Sequence, residues 1–362
     1  MCLTMIVKNE ARIIERCLDA ARFAVGSVCI TDTGSADKTV QLIEAWGKKH
    51  AVPTKVHTAE WKNFGHNRTV ALANAHASFP EAPYLLLLDA DMCLVDKGFS
   101  MDQLTKDGCM LYQTEGGTTY RNLRIVKNDR LWKSMGVTHE YTSPADDKPA
   151  EIVNCDTLVI DDRSDGGSKD DKLDRDALLL LQGLKDEPGN SRYMFYLGNT
   201  YYAMNQCLDA IYWYERRLAD KKNGFEEEAW YTTYRTAQCY EKMEDWPRAV
   251  YWFMKAINRR PHRLEPYVAL AKIYIFKDPP HNYYTATTLI KAGMAEARPE
   301  QDLLFVEDSA YEYDCWYCLS LSYYYLGKKL EGRVACDKVI QCPKTPAQLR
   351  AHVQNMRVQF YA

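Results

Sequence analysis

Two aspartates stand one residue apart at the end of an apolar run: Asp89 and Asp91 in "YLLLLDADMC", residues 84–93. Two carboxylates this close repel, and neither is easily buried alone. A divalent cation resolves that conflict. Hard oxygen ligands suit Mg2+ or Mn2+, completed by phosphate oxygens and water. For an isolated Asp-x-Asp, a helix cap or an exposed turn is the plain alternative. The apolar run reads as a buried strand, and ligands of open α/β sheets bind at the carboxyl ends of strands. Residues two apart on a strand share a face, so both carboxylates are expected to point to one side. Other strand ends are polar too. Asp32 ends an apolar run in "ITDTGSADKT", and Asn9 and Glu10 follow "TMIV". Three strand ends then converge over one crevice of nucleotide size.

Further candidates lie downstream. "HNRT" sets Arg68 near the start of a helix, where a surface arginine is the alternative to a phosphate contact. "GVTHEYT" sets His139 beside Glu140, and a strand edge facing water is the alternative there. In "SDGGSKDDK" the glycines permit movement, and Lys169 and Lys172 could close over a diphosphate. A solvated linker explains the same stretch.

Periodicity supplies the elements that must carry these residues. "CLTMIVKN", "SVCITDTG" and "TKVHTAE" read as strands. Between them, helical patterns are expected near 10–23, with Ile13, Ile14, Cys17, Leu18 and Ala21 on one face, and after Ser35, with Val40, Ile43 and Ala45. A helix near 66–78 precedes the opening run. This β-α-β-α-β-α-β order argues for a mostly parallel sheet with helices on its faces. Continuous hydrophobicity in "YLLLL" fits a central strand covered on both sides. From 108 to 163, three strands are expected without long helices between them.

The rest is helical and repeats itself. Leu197, Gly198 and Tyr201 recur as Thr236, Ala237 and Tyr240, as Leu270, Ala271 and Tyr274, and as Leu319, Ser320 and Tyr323. Measured at the small residue, the copies are 39, 34 and 49 residues apart. A small residue lets two helices approach closely, and the tyrosine is expected to fill the groove beside it. These units resemble the tetratricopeptide repeat, a helix-turn-helix of about 34 residues.

Bulk properties narrow the classes. At 362 residues the chain is long for one core and suggests two domains. A net charge of −3 shows no nucleic-acid footprint. No apolar run approaches the roughly 18 residues of a membrane span, and the start lacks a secretory pattern. Twelve cysteines lie mostly inside apolar periodic segments, which reads as reduced, buried cysteine and a cytoplasmic setting. Cys315 and Cys318 form one CxxC without a partner pair, and two helix core positions explain it better than a metal or redox site.

Taken in order and spacing, "TMIVKNEARIIERCLD", "ITDTGSADKT" and "LLLLDADM" resemble family 2 glycosyltransferases of the GT-A fold, and "WKNFGHNRTVAL" and "GVTHEYT" extend the resemblance. Joined to tetratricopeptide-like helices, the arrangement resembles a bacterial and viral subgroup. The resemblance implies three parts: a glycosyltransferase domain over 1–165, a mobile loop and connecting helix over 166–190, and helical repeats over 191–362. It implies transfer of a sugar from a nucleotide diphosphate, with inversion. Asp32 matches the aspartate that binds the donor nucleobase, commonly uracil, and Asn9 and Glu10 match the segment lining the nucleotide pocket. Asp89 and Asp91 match the motif that handles the diphosphate through Mn2+ or Mg2+, with Asp91 the direct ligand and Asp89 supporting it. His139 is then the expected third ligand, and Arg68 a donor phosphate contact. Trp61 and His66 are expected near sugar or acceptor.

Inversion needs a base to take the acceptor's proton and a cation where the diphosphate departs. Glu140 is the expected base. Many members of the family carry an acidic pair further along, which does not align clearly here, so Asp146 and Asp147 compete with it. The acceptor is expected to be a glycan, a lipid-linked sugar or a protein, docked by the repeats. A repeat scaffold with a vestigial catalytic domain is the alternative, against which the full set of candidate residues argues. A nucleotidyltransferase would need a glycine-rich phosphate loop, and "IVKNEARI" has no glycine.

Overall fold

The computed structural model describes residues 1–115, 118–166, 172–220, 225–277, 281–299, 302 and 304–361. The chain divides into two compact units, Met1–Gly183 and Leu184–Ala362.

The first unit opens with strand β1 (Cys2–Val7), helix α1 (Ile14–Ala21), β2 (Ser27–Asp32), α2 (Thr39–His50), β3 (Thr54–Thr58), α3 (Phe64–Ser78) and β4 (Tyr84–Leu87). It continues with β5 (Met92–Asp96), β6 (Gly108–Glu115), β7 (Thr118–Lys127), β8 (Trp132–Met135), β9 (Tyr141–Pro144) and β10 (Ile152–Asp162), and α4 (Lys172–Asp186) runs past its boundary. Eight strands form one sheet in the order β3-β2-β1-β4-β7-β6-β10-β5, while β8 and β9 make a separate two-stranded ribbon. The β3-β2-β1-β4 half is parallel. Beyond it the sheet is mixed: β7 runs antiparallel to β4 and β6, and β10 runs parallel to β6 and antiparallel to β5.

The apolar spacing explains the packing. Ile14, Cys17, Leu18 and Ala21 of α1 are all buried, four positions on one helical stripe. In α2 the buried set is Thr39, Ile43, Trp46 and Gly47, so the expected Ala45 turns outward and Trp46 takes its place. Asn63 caps α3, its side chain accepting from the His66 amide at 2.8 Å. β4 is a central strand, as its unbroken apolar run requires, with Leu85 and Leu86 buried between β1 and β7.

The second unit contains α5 (Ser191–Ala203), α6 (Cys207–Ala219), α7 (Glu226–Lys242), α8 (Trp246–Arg259), α9 (Glu265–Phe276), α10 (Tyr283–Met294), α11 (Cys315–Tyr325), α12 (Lys329–Gln341) and α13 (Ala347–Phe360). The repeated small residues sit where successive helices meet: Ala237, Ala271 and Ser320 are fully buried, as are Ala210, Ala249 and Ala286 on the partner helices. The long third spacing is taken up before α11, and its Asp302 is tied to a buried ion pair. Arg263 donates to Glu265 at 2.8 Å, reaches Asp302 at 3.2 Å and stacks 3.8 Å over Trp230. Cys315 and Cys318 are core positions of α11, their thiols pushed up to about 12 by burial. All twelve cysteines are free thiols. No helix among the described residues is long and apolar enough to cross a membrane.

Gly198 shows how tight the first pair of repeat helices is. A methyl group there would stand 2.4 Å from the ring of buried Tyr214, whose hydroxyl donates to Asn199 at 2.7 Å. The filler beside the small residue is therefore this tyrosine of α6. Gly198→Ala is expected to destabilise the helical unit by about 1–3 kcal/mol. Denaturant unfolding followed by tryptophan fluorescence measures it, and an unchanged midpoint would show that the ring has room to move.

Candidate active site

The crevice is built from turns that follow the parallel strands. After β1 the chain takes a left-handed step at Asn9, with φ of 59°. The Asn9 amide donates to Ser35 Oγ at 2.9 Å, and Asn9 Oδ1 accepts from the Ala36 amide at 2.8 Å. The Glu10 amide donates to Thr39 Oγ1 at 2.8 Å, so the ends of β1 and β2 are laced together. Asp32 is buried, and its carboxylate accepts from the amides of Gly34 (3.1 Å) and Ser35 (3.0 Å), closing the turn after β2.

The aspartate pair lies past the end of its strand. β4 stops at Leu87, and residues 88–91 turn, with the Met92 amide donating to Asp89 O at 3.0 Å. Strand alternation therefore does not govern these side chains, and the expectation that both point to one side is corrected: each meets different partners. Asp89 accepts from Arg68 Nη2 at 2.7 Å and faces Arg124 Nη1 at 3.7 Å. Asp91 lies against Gly166, where a methyl group would stand 3.2 Å from Asp91 Oδ2 and 3.5 Å from Glu10 Oε1. A side chain there would be tight against the Asp91 carboxylate, so the backbone of this segment runs close to it.

Electrostatics separates the two carboxylates further. Burial alone would raise the Asp89 pKa, but Arg68 and Arg124 overcome it and hold the carboxyl below the ordinary aspartate value. For Asp91, burial and then the negative charges of Asp89 and Asp162 push the pKa up. The arginines thus favour the anion at Asp89, while burial and negative neighbours disfavour it at Asp91.

Arg68 makes a second contact. Its Nε donates to Glu140 Oε1 at 2.5 Å, so one guanidinium bridges Asp89 and the predicted base. Burial opposes the charge on Arg68, yet the two carboxylates hold its pKa above the usual guanidinium value. Glu140 sits in the turn between β8 and β9, which α3 supports from below. A methyl group on Gly65 would collide with Gly136 O at 2.1 Å.

His139 goes elsewhere. It takes a left-handed conformation, φ 50°, and its Nε2 stands 3.9 Å from buried Asp176 of α4, which also accepts from Thr138 Oγ1 at 3.2 Å. Asp89, Asp91 and His139 do not come together. Among the described residues, no three His, Cys, Asp or Glu side chains form a metal-ligating group. The residues present still fit a divalent cation bound mainly by substrate. Asp91 offers one carboxylate, and Mg2+ commonly takes one or two carboxylates, with phosphate oxygens and water for the rest. Asp146 and Asp147 are exposed and paired with Arg130 and Lys133. His66 is exposed, and Trp61 packs edge-on to Phe64 at 4.9 Å. Lys172 is exposed at the start of α4, and Lys169 lies outside the described residues.

Sequence reasoning did not single out Arg124, Gln113, Asp162 or Asp176. For Arg124 a signal existed, a cation inside the apolar strand "NLRIVK". Asp176 carried none, since it is one of several acids in "DDKLDRD".

The Asp91 environment predicts a trade between binding and stability. Above its raised pKa the carboxyl is ionised against burial and two negative neighbours, a cost that vanishes as the pH falls and the proton returns. Without divalent cation, Asp91→Asn is expected to melt above the wild type at pH 7, by roughly 2–4 °C per kcal/mol relieved. The gap should close towards pH of about 4. Identical melting at pH 7 would show that Asp91 carries no such penalty.

One comparison with known proteins falls on the segment that carries these residues. Residues 2–99 match the sequence model described as glycosyl transferase family 2. A TPR repeat-containing protein of Synechococcus elongatus is 33% identical over 93 residues, which is 26% of this chain and 21% of that protein. The chain thus spans about a fifth of that curated relative's length. Among solved structures, S. aureus TarS 1-349 is 14% identical, covering 90% of this chain and 91% of its own at a TM-score of 0.33. The same TarS segment in complex with UDP gives 15% and 0.30 at the same coverage. YrrB, a TPR protein with an unusual peptide-binding site, is 16% identical over 51% of this chain and 84% of its own, with a TM-score of 0.37. The matched residues 2–99 build β1 to β5 and carry Asp32, Arg68, Asp89 and Asp91, so over this stretch the chain is similar to glycosyl transferase family 2.

Proposed function

We propose that this protein transfers a sugar, with inversion, from a nucleoside diphosphate to an acceptor hydroxyl, assisted by Mn2+ or Mg2+. The observation that carries the reading is the divergence of Asp89 and Asp91. Inside the segment matched to family 2, Asp89 is ion-paired with Arg68 and faces Arg124, while Asp91 lies against Gly166 with Asp89 and Asp162 as negative neighbours.

Each residue then has a task. Asp32 uses its carboxylate on the turn amides, but a carboxylate has about four acceptor positions, enough to take an N–H from a base such as uracil as well. Asn9 and Glu10 line the nucleotide side. Asp91 would hold the divalent cation, which supplies positive charge to the departing diphosphate. Arg68 adds a fixed cation to the same region. Glu140 is held by Arg68 through Oε1, and its other oxygen would take the acceptor's proton. Lys169 and Lys172 are proposed to close over the diphosphate. His139 is proposed to support the reacting end through Asp176 rather than as a protein-fixed third ligand. The helical unit is proposed to dock the acceptor, a glycan, lipid-linked sugar or protein. Twelve free cysteines favour a cytoplasmic setting.

Purified protein would be incubated with a panel of nucleotide sugars and Mn2+ or Mg2+. Slow release of nucleoside diphosphate from one donor, UDP-linked by first choice, is expected, and Asp91→Ala or a chelator should abolish it. Full turnover in chelator would sink the metal-assisted reading. Glu140→Gln should still bind nucleotide while transfer falls by at least about 10². Near-normal transfer would move the base to another residue.

A further inference from the structure

We propose that Arg124 is a positioning residue for the donor site. It fixes Asp89 directly, and it fixes the turn over Asp91 through Gln113 and Asp162. The proposal deepens the reading of the site given above and rests on it.

The four residues lie along neighbouring elements of the sheet: Asp89 follows β4, Arg124 is on β7, Gln113 on β6 and Asp162 on β10. Each contacts the next. Arg124 Nη1 stands 3.7 Å from Asp89 Oδ2. The Nη2 and Nε groups of Arg124 donate to Gln113 Oε1 at 2.8 and 3.2 Å. Gln113 Nε2 donates to Asp162 Oδ2 at 2.8 Å. Asp162 Oδ1 accepts from the Ser164 amide at 2.9 Å and from its hydroxyl at 3.3 Å. The next links reach Asp91: the Arg163 amide donates to Asp91 O at 3.1 Å, and Gly166 lies on the Asp91 carboxylate. The contacts thus run in series from Asp89 to the segment that lies against Asp91.

The series has a direction. Gln113 is buried, so both ends of its amide need partners. A guanidinium has only donors and a carboxylate only acceptors, so the amide oxygen must face Arg124 and its NH2 must face Asp162. Arg124 thereby sets the orientation of Gln113, which sets the donor that Asp162 receives. Lysine could keep the charge near Asp89 but not the two N–H bonds to one amide oxygen. Other arginines of this sheet behave differently. Arg121 pairs with exposed Asp156 and stacks on Tyr112, contacts that do not reach the crevice.

The test uses the full chain and variants Arg124→Met, Arg124→Lys and Gln113→Met. UDP binding with Mn2+ would be measured by titration calorimetry, and amide hydrogen exchange followed over residues 158–166. Arg124→Met is expected to weaken UDP binding by at least about tenfold. It should also speed exchange at the Ser164 amide while leaving β1 and β2 protected. Gln113→Met, with Arg124 still beside Asp89, should speed the same exchange and weaken binding less. Arg124→Lys should resemble Gln113→Met. A residue that merely fills space would lower the melting temperature without this split between binding and local exchange. Folded Arg124→Met and Gln113→Met proteins with wild-type UDP affinity and wild-type exchange overturn the proposal. If Arg124→Met does not fold, the other two variants decide in the same terms. If the wild type binds no nucleotide, the glycosyltransferase reading fails by itself, and the exchange at Ser164 still decides the relay.

Discussion

One half-buried guanidinium organises the candidate site of the N-terminal unit. Arg68 reaches from the first turns of α3 to Asp89 after β4 and to Glu140 between β8 and β9. Those carboxylates are 51 positions apart in the chain. Burying an ion pair is costly, and stability alone rarely requires one. What this one supplies is placement: two acids that would repel are held by one cation, Asp89 on Nη2 and Glu140 on Nε. α3 must therefore be seated firmly, and it is. Asn63 caps it, buried Asn67 ties it to Glu60 and Lys62, and Gly65 lies against the Gly136 carbonyl.

Arg68 and Arg124 both act on Asp89, whereas Asp91 has Asp89 and Asp162 as negative neighbours. Two residues of one type, one alanine apart, thereby acquire opposite tendencies. Their separation follows from backbone geometry, since the strand ends at Leu87 and the turn sends the two side chains to different neighbours. The same turn brings Arg163 and Gly166 over Asp91. A site that holds an anion ready for a cation is less stable without it, and that is a common condition of binding sites.

The helical unit is governed by closeness of approach instead. Gly198, Ala237, Ala271 and Ser320 let helices pack with aromatic rings filling the space between them. Its longest interruption does not dissolve the packing. Arg263, fully buried, binds Glu265 and Asp302 and covers Trp230, so the inserted segment is joined to α7 and α9 by charge and ring contact.

The pattern of apolar residues was enough to read the β-α order, the central position of "YLLLL", and the four helical repeats, because burial periodicity is local and survives without coordinates. Acids beside apolar strand ends made Asp32, Asp89 and Asp91 candidates, whereas Arg68 and Glu140 took their roles from the resemblance to family 2 glycosyltransferases. The other strands were less legible: β5, β8 and β9 are short, and the partner of β5, β10, lies far along the chain. Which candidates meet was not legible at all. His139 was grouped with the aspartates by type, yet its backbone conformation turns it to Asp176. Arg124, Gln113 and Asp162 are ordinary residues of three strands until the sheet order makes them neighbours. By itself the sequence determined the elements and the inventory of charged groups, because both depend on residue type and spacing. Tertiary structure decided how those charges are paired, because Coulomb and hydrogen-bond energies depend on distances that only the folded chain sets.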